Sequence, residues 1–69
     1  MITKSDAITT GKSIIKMLPE ISKEQNSNNR HMMRGVLIYA MDSFWYTIPM
    51  KTRLQFTNKD NFFDECGWK

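Results

Sequence analysis

Residues 32–48, M-M-R-G-V-L-I-Y-A-M-D-S-F-W-Y-T-I, constrain this chain more than any other stretch. They hold its densest apolar run together with Tyr39, Phe44, Trp45 and Tyr46, and no other segment has the bulk to form the middle of a core. The longest uncharged run inside them, 35–41, is closed by Arg34 and Asp42. That is far short of the roughly 20 apolar residues a helix needs to cross a bilayer.

The remainder of the chain offers this segment little help. Its 69 residues make one domain, 1–69, close to the lower size limit for independent folding. A core of that size leaves about 3–5 kcal/mol of net stability. The single cysteine, Cys66, rules out an internal disulfide, and with the single histidine, His31, it cannot supply the ligands of a structural zinc site. Association with another chain therefore gains weight, either as a homo-oligomer or with a different protein. A lone cysteine fits a reducing compartment, and M-I-T-K-S-D at the N-terminus lacks the apolar run of a secretory signal. The expectation is a soluble, cytoplasmic protein that does not enter a membrane.

The punctuation along the chain predicts a helix-rich α+β domain with two main helices, one strand or hairpin, and a short C-terminal helix. Thr3 or Ser5 can cap a first helix over 5–18, in which Ile8, Gly11, Ile14, Ile15 and Leu18 share a face. Pro19 stops it and can open a further helical turn over 20–25. The Q-N-S-N-N loop precedes a central helix over 29–46, in which Met33, Val36, Leu37, Ala40, Met41 and Phe44 form an apolar stripe, with Arg30, Arg34 and Asp42 expected on the other side. Ile38 and Tyr39 widen that stripe, so the helix is expected to be buried on more than one side or to contact a partner. After Pro49, the alternation of Met50, Thr52, Leu54 and Phe56 with Lys51, Arg53 and Gln55 has the period of a half-buried strand over 50–56, with a 44–56 hairpin as the rival pairing. Asn58 or Thr57 can cap a last helix over 59–66, and Gly67 can stop it.

Catalytic and cofactor chemistry finds no footing in these residues. Gly11-Lys12-Ser13 resembles the end of a phosphate-binding loop, but Asp6 stands where that loop needs its first glycine. His31 has no nucleophile or orienting partner in view, and Cys66 lies beside Asp64 and Glu65, whose charge blunts a thiolate. Asp60 and Asp64 share a helix face without a further ligand set to hold a metal. The expectation is a non-enzyme with no cofactor and no metal.

Charge and aromatics carry the functional expectation instead. The net charge of +3 comes from ten Lys and Arg against seven Asp and Glu. Arg30 and Arg34 stand one helical turn apart, and Lys51 and Arg53 share the polar face of the expected strand; with Lys12 and Lys16 they can form a patch for an acidic protein surface or for phosphates. Consecutive helical residues point about 100° apart, so Phe44, Trp45 and Tyr46 cannot all turn inward. Aromatics and arginine are enriched where proteins meet. Arg30, Arg34, Trp45, Tyr46, Lys51 and Arg53 are the candidate partner-binding residues. The leading expectation is a small protein-binding module, a regulator or inhibitor that covers a partner's surface, a kind of protein common on phages and plasmids. The alternative is a basic nucleic-acid binder that contacts phosphates.

Overall fold

The computed structural model describes residues 2–68, and every regular element among them is helical. In chain order these are α1 (Lys4–Ile14), α2 (Leu18–Ser22), α3 (Ser27–Thr47), α4 (Met50–Arg53) and α5 (Lys59–Cys66). The domain is all-helical, and the α+β expectation is corrected.

Local chemistry explains most of the boundaries. Thr3 caps α1 in a reciprocal box: its hydroxyl accepts from the Asp6 backbone N–H at 3.1 Å, and the Asp6 carboxylate accepts from the Thr3 N–H at 3.3 Å. The first helix ends at Ile14, four residues earlier than expected. A helix running through Pro19 would lose the hydrogen bond to the Ile15 carbonyl and press the proline ring against it, so the chain breaks upstream and restarts as α2 with Pro19 in its first turn. Asn26 caps α3 by accepting from the Asn29 N–H at 3.1 Å. Pro49 stops α3, holding Ile48 in an extended conformation at φ −70°, ψ 133°.

No strand forms over 50–56, and no 44–56 hairpin. A lone strand would leave its backbone groups unpaired, whereas a tight helical turn satisfies them locally. Thr52 and Arg53 donate to the Pro49 carbonyl at 2.9 Å, Leu54 to Met50 at 3.0 Å and Phe56 to Arg53 at 3.0 Å. The alternating apolar residues do not share a buried face: Thr52 and Phe56 are buried, while Met50 and Leu54 lie in solvent. The buried Thr52 hydroxyl donates to the Ile2 carbonyl at 2.6 Å, which ties this turn to the start of the chain.

Gly67 adopts φ +94° just past α5. Its N–H reaches the Asp64 carbonyl at 3.0 Å, the Trp68 N–H reaches Phe63 at 3.1 Å, and the Trp68 and Phe63 rings meet at 5.8 Å. This is a Schellman ending with its apolar contact, and the left-handed residue in it favours glycine.

The core lies where the C-terminal half of α3, the 54–56 turn, α1 and α5 converge. Phe62 is fully buried, with ring centroids of Phe56, Trp45 and Phe44 at 5.0, 5.3 and 6.1 Å. Gly11 lets α5 approach α1 closely: a Cβ there would run into the Cys66 sulfur and stand 3.2 Å from the Phe62 ring. The N-terminal half of α3 extends beyond this core with α2 laid along one side. The molecule measures 40 × 19 × 16 Å and has a radius of gyration of 12.7 Å, against roughly 11 Å for a compact chain of this length.

Candidate functional site

Helix α3 determines what this surface can do, because its residues divide sharply between two sides. At about 100° per residue, positions 30, 34, 37, 41, 44 and 45 fall on one side, and 32, 35, 36, 39, 43 and 46 on the other. Met41 and Trp45 put the first set inside. The second set faces solvent, with Tyr39 exposed to 75%, Met32 to 67%, Tyr46 to 65% and Val36 to 62%. Gly35 and Ser43, both exposed, complete this outer face, and none of the six residues is charged.

The expected sidedness of the arginines is therefore reversed. Arg30 and Arg34 share the side of Leu37 and Met41 instead of standing opposite the apolar stripe. The Arg30 guanidinium donates to the Glu24 carbonyl at 2.6 Å, and Arg34 stands over the Trp68 ring at 5.1 Å. The long aliphatic stems of these side chains cover apolar surface while their heads find partners at its edge.

The six sequence-derived candidates do not gather into one contact. Trp45 is only 8% exposed and belongs to the core, packed edge-on against Phe56 at 5.8 Å. Tyr46 is the member of the aromatic trio left in solvent. Lys51 is exposed on α4 and Arg53 half-buried beside it, not on a strand face. Arg53 donates to the Ile48 carbonyl at 3.0 Å, and its guanidinium lies 5.9 Å from the Trp45 ring and 5.8 Å from the Tyr46 ring. Roughly 24 Å of helix separates Arg30 from Tyr46, so the basic residues make two groups and not a single patch.

Around Tyr46 a cation–aromatic cluster forms that sequence reasoning finds only in part. Lys59, from the start of α5, lies 5.6 Å from the Tyr46 ring on the flank opposite α2 and pairs with Asp42 at 2.9 Å. The hydrogen bond to Asp42 raises the Lys59 pKa against the opposing effect of desolvation. On the other flank of α3, Met17 and Ile21 with Met33, Val36 and Leu37 line an open, wholly apolar groove of about 230 Å³.

The groups with nucleophilic or ligating chemistry stand apart from this face. Cys66 is buried at the α1–α5 contact, where its thiol points at the Ile8 carbonyl at 3.8 Å. Burial pushes its pKa up to about 11, nearby Lys12 opposes that and Glu65 adds to it. Gly11-Lys12-Ser13 lies inside α1, where the backbone N–H groups are engaged in the helix and cannot cradle a phosphate. His31 is exposed. No group of three or more His, Cys, Asp or Glu able to hold a metal occurs among the described residues, and no helix among them is long and apolar enough to cross a membrane.

Sequence reasoning misses Met32, Gly35 and Val36 as surface residues. The available signal is the 4-3-4-3 spacing of the uncharged positions 32, 36, 39, 43 and 46, which is the spacing of a helix seam that meets another helix. Compared with models of protein families, with curated proteins and with solved structures, the chain matches none.

Proposed function

We propose that this chain is a non-enzymatic protein-binding module that docks through the outer face of α3. One observation carries the reading: the longest helix turns its uncharged side to solvent and its two arginines inward. Exposing large apolar side chains in a row has no benefit for an isolated small domain, whereas rows of this kind mark contact sites. Tyr39 and Tyr46 are the anchors, since aromatic rings bury much area for little lost side-chain freedom. Arg53 and Lys59 beside Tyr46 suit a partner that brings carboxylates to that end. Such a module regulates or inhibits by covering its partner's surface.

Immobilised chain tests this against Tyr39→Glu, with nuclease present and at low and high salt. The expected result is a defined protein retained by the wild type through nuclease and salt and lost by Tyr39→Glu, with both chains giving the same helical circular dichroism. Retention that ignores the substitution would overturn the reading. Recovery of nucleic acid alone, lost steeply as salt rises, would transfer it to phosphate contacts.

A further inference from the structure

Resting on the reading of that face as a docking surface, we propose that its occupant is one amphipathic helix of another protein. That helix puts a large apolar side chain into the groove beside α2 and carries acidic residues at the Tyr46 end. Backbone chemistry selects a helix. The N–H and C=O groups along the middle of α3 are engaged within the helix, so α3 offers an incoming chain no backbone partners. A strand or loop pressed onto the uncharged stripe would bury backbone groups that nothing pairs, whereas a helix pairs its own. The stripe is one helix wide, and the 4-3-4-3 spacing of positions 32, 36, 39, 43 and 46 suits a helix laid along it.

The groove and the cations lie on opposite flanks of α3 and towards opposite ends, and the stripe leads from one to the other. At about 100° per residue, Val36 stands about 60° from Tyr39 on the α2 flank, where with Met33 it lines the groove. Tyr46 and Asp42 stand about 20° and 60° from Tyr39 on the other flank, where Lys59 approaches both. A seam of this spacing drifts by about 20° per seven residues in that same sense, since its period falls short of a helical turn. One helix crossing α3 at the shallow angle of such seams therefore passes over the groove at Val36 and over Tyr46 about 15 Å further on.

Charge decides which end of the partner is acidic. The Arg53 Nε–H is held by the Ile48 carbonyl at 3.0 Å, and the guanidinium stands 5.8 Å from the Tyr46 ring. Among the described residues it pairs with no carboxylate. Lys59 lies 5.6 Å from the same ring and shares Asp42. A partner carboxylate meets an oriented guanidinium here, while the groove, lined by apolar side chains alone, takes no charge. The partner's apolar anchor and its acidic residue thus stand about three turns, or roughly ten to eleven residues, apart.

Selection of random peptides of about 20 residues on the immobilised full chain tests this, each peptide being some 30 Å long as a helix. The expected binders share apolar residues at helical spacing, with Asp or Glu about three turns from a large apolar anchor, and gain helical circular dichroism on binding. Tyr39→Glu and Val36→Glu should each weaken them at least about tenfold, with the circular dichroism of the free chain unchanged. Lys59→Gln and Arg53→Gln should weaken them less, and that effect should vanish for peptides whose acidic residue is replaced by glutamine. Binders without helical spacing, or a Lys59→Gln effect that ignores the peptide's charge, would overturn the proposal. A reversible dimer of the full chain that Tyr39→Glu abolishes would give the face to a second copy instead, and vesicles of anionic lipid bound only by the wild type would give it to a membrane surface. If no helical peptide is selected but Tyr39→Glu still releases a captured protein, the helix fails and the docking face stands. If Tyr39→Glu changes neither measurement, both fail.

Discussion

The two halves of α3 belong to one continuous helix yet have opposite surroundings. From Met41 to Thr47, and on to its C-cap Ile48, it faces the core, with Met41 and Trp45 buried and the Trp45 ring against Phe56 and Phe62. From Met32 to Tyr39 it has comparable apolar content, but apart from Leu37 against the core and Arg34 over Trp68 it has only α2 along one flank, leaving Met32, Val36 and Tyr39 in water. The difference arises because α1 and α5 are short, and the bulk they supply is spent around Phe62. Apolar content thus identifies a segment that wants burial without saying whether its own chain will bury it, and in a chain this small the surplus is left in solvent.

The contrast is broken most directly by truncating one aromatic in each half. Trp45→Ala should destabilise by about 3–5 kcal/mol, which matches the whole net stability of a domain this size, so the variant should be largely unfolded by circular dichroism at 25 °C. A cooperative melt close to that of the wild type would mean that the inner half does not hold the core. Tyr39→Ala is its counterpart and closes this series, because its expected effect is the smallest.

Gly11→Ala probes the inner region through backbone approach. The added methyl meets Cys66 and Phe62, and overpacking of this kind costs about 1–3 kcal/mol, partly offset by the roughly 1 kcal/mol that alanine gains over glycine within a helix. The urea midpoint should fall, and Cys66→Ala added to Gly11→Ala should recover part of the loss, since contacting sites are not additive. Independent, additive losses would place the strain elsewhere.

A third test uses the Cys66 thiol. Its pKa is raised from 9.0 to about 11, first by burial. The folded chain therefore keeps a proton that the unfolded chain gives up. The stability contributed is fully present below about pH 9 and is lost as pH rises towards 11. Urea unfolding followed across that interval should show a decline that disappears in Cys66→Ala, and a thiol reagent at pH 8 should label the native chain far more slowly than the unfolded one. Equal labelling of both forms would show that the α1–α5 contact opens freely.

Tyr39→Ala should change stability by less than about 0.5 kcal/mol in dilute solution, the usual range for an exposed position. A large loss in dilute solution would mean that the outer half is held by its own chain after all.

A good part of this architecture is legible in the amino-acid sequence. Thr3 with Asp6, Pro19, Pro49 and Gly67 mark boundaries through hydrogen bonds and steric limits acting within three or four residues, and those operate whatever surrounds them. The long helix through Met32 and Tyr46 is legible for the same reason. The 50–56 segment misleads because alternation in a short run fits a tight turn as well as a strand. Thr52 is part of that alternation, yet it is buried for its hydrogen bond to Ile2, fifty residues away in sequence.

The candidate site is legible only as a disposition. The chain announces that it has more aromatic surface around Phe44, Trp45 and Tyr46 than one helix can turn inward, and that its single cysteine leaves the small core without an internal disulfide. It does not say which side of α3 goes inside, because both sides carry large apolar residues and the helix forms equally well either way. Tertiary packing made that choice. Phe62 and Phe56 take Trp45 and Met41, Trp68 takes the space beneath Arg34, and the residues in line with Tyr39 are left outside because the short chain has no further element to cover them.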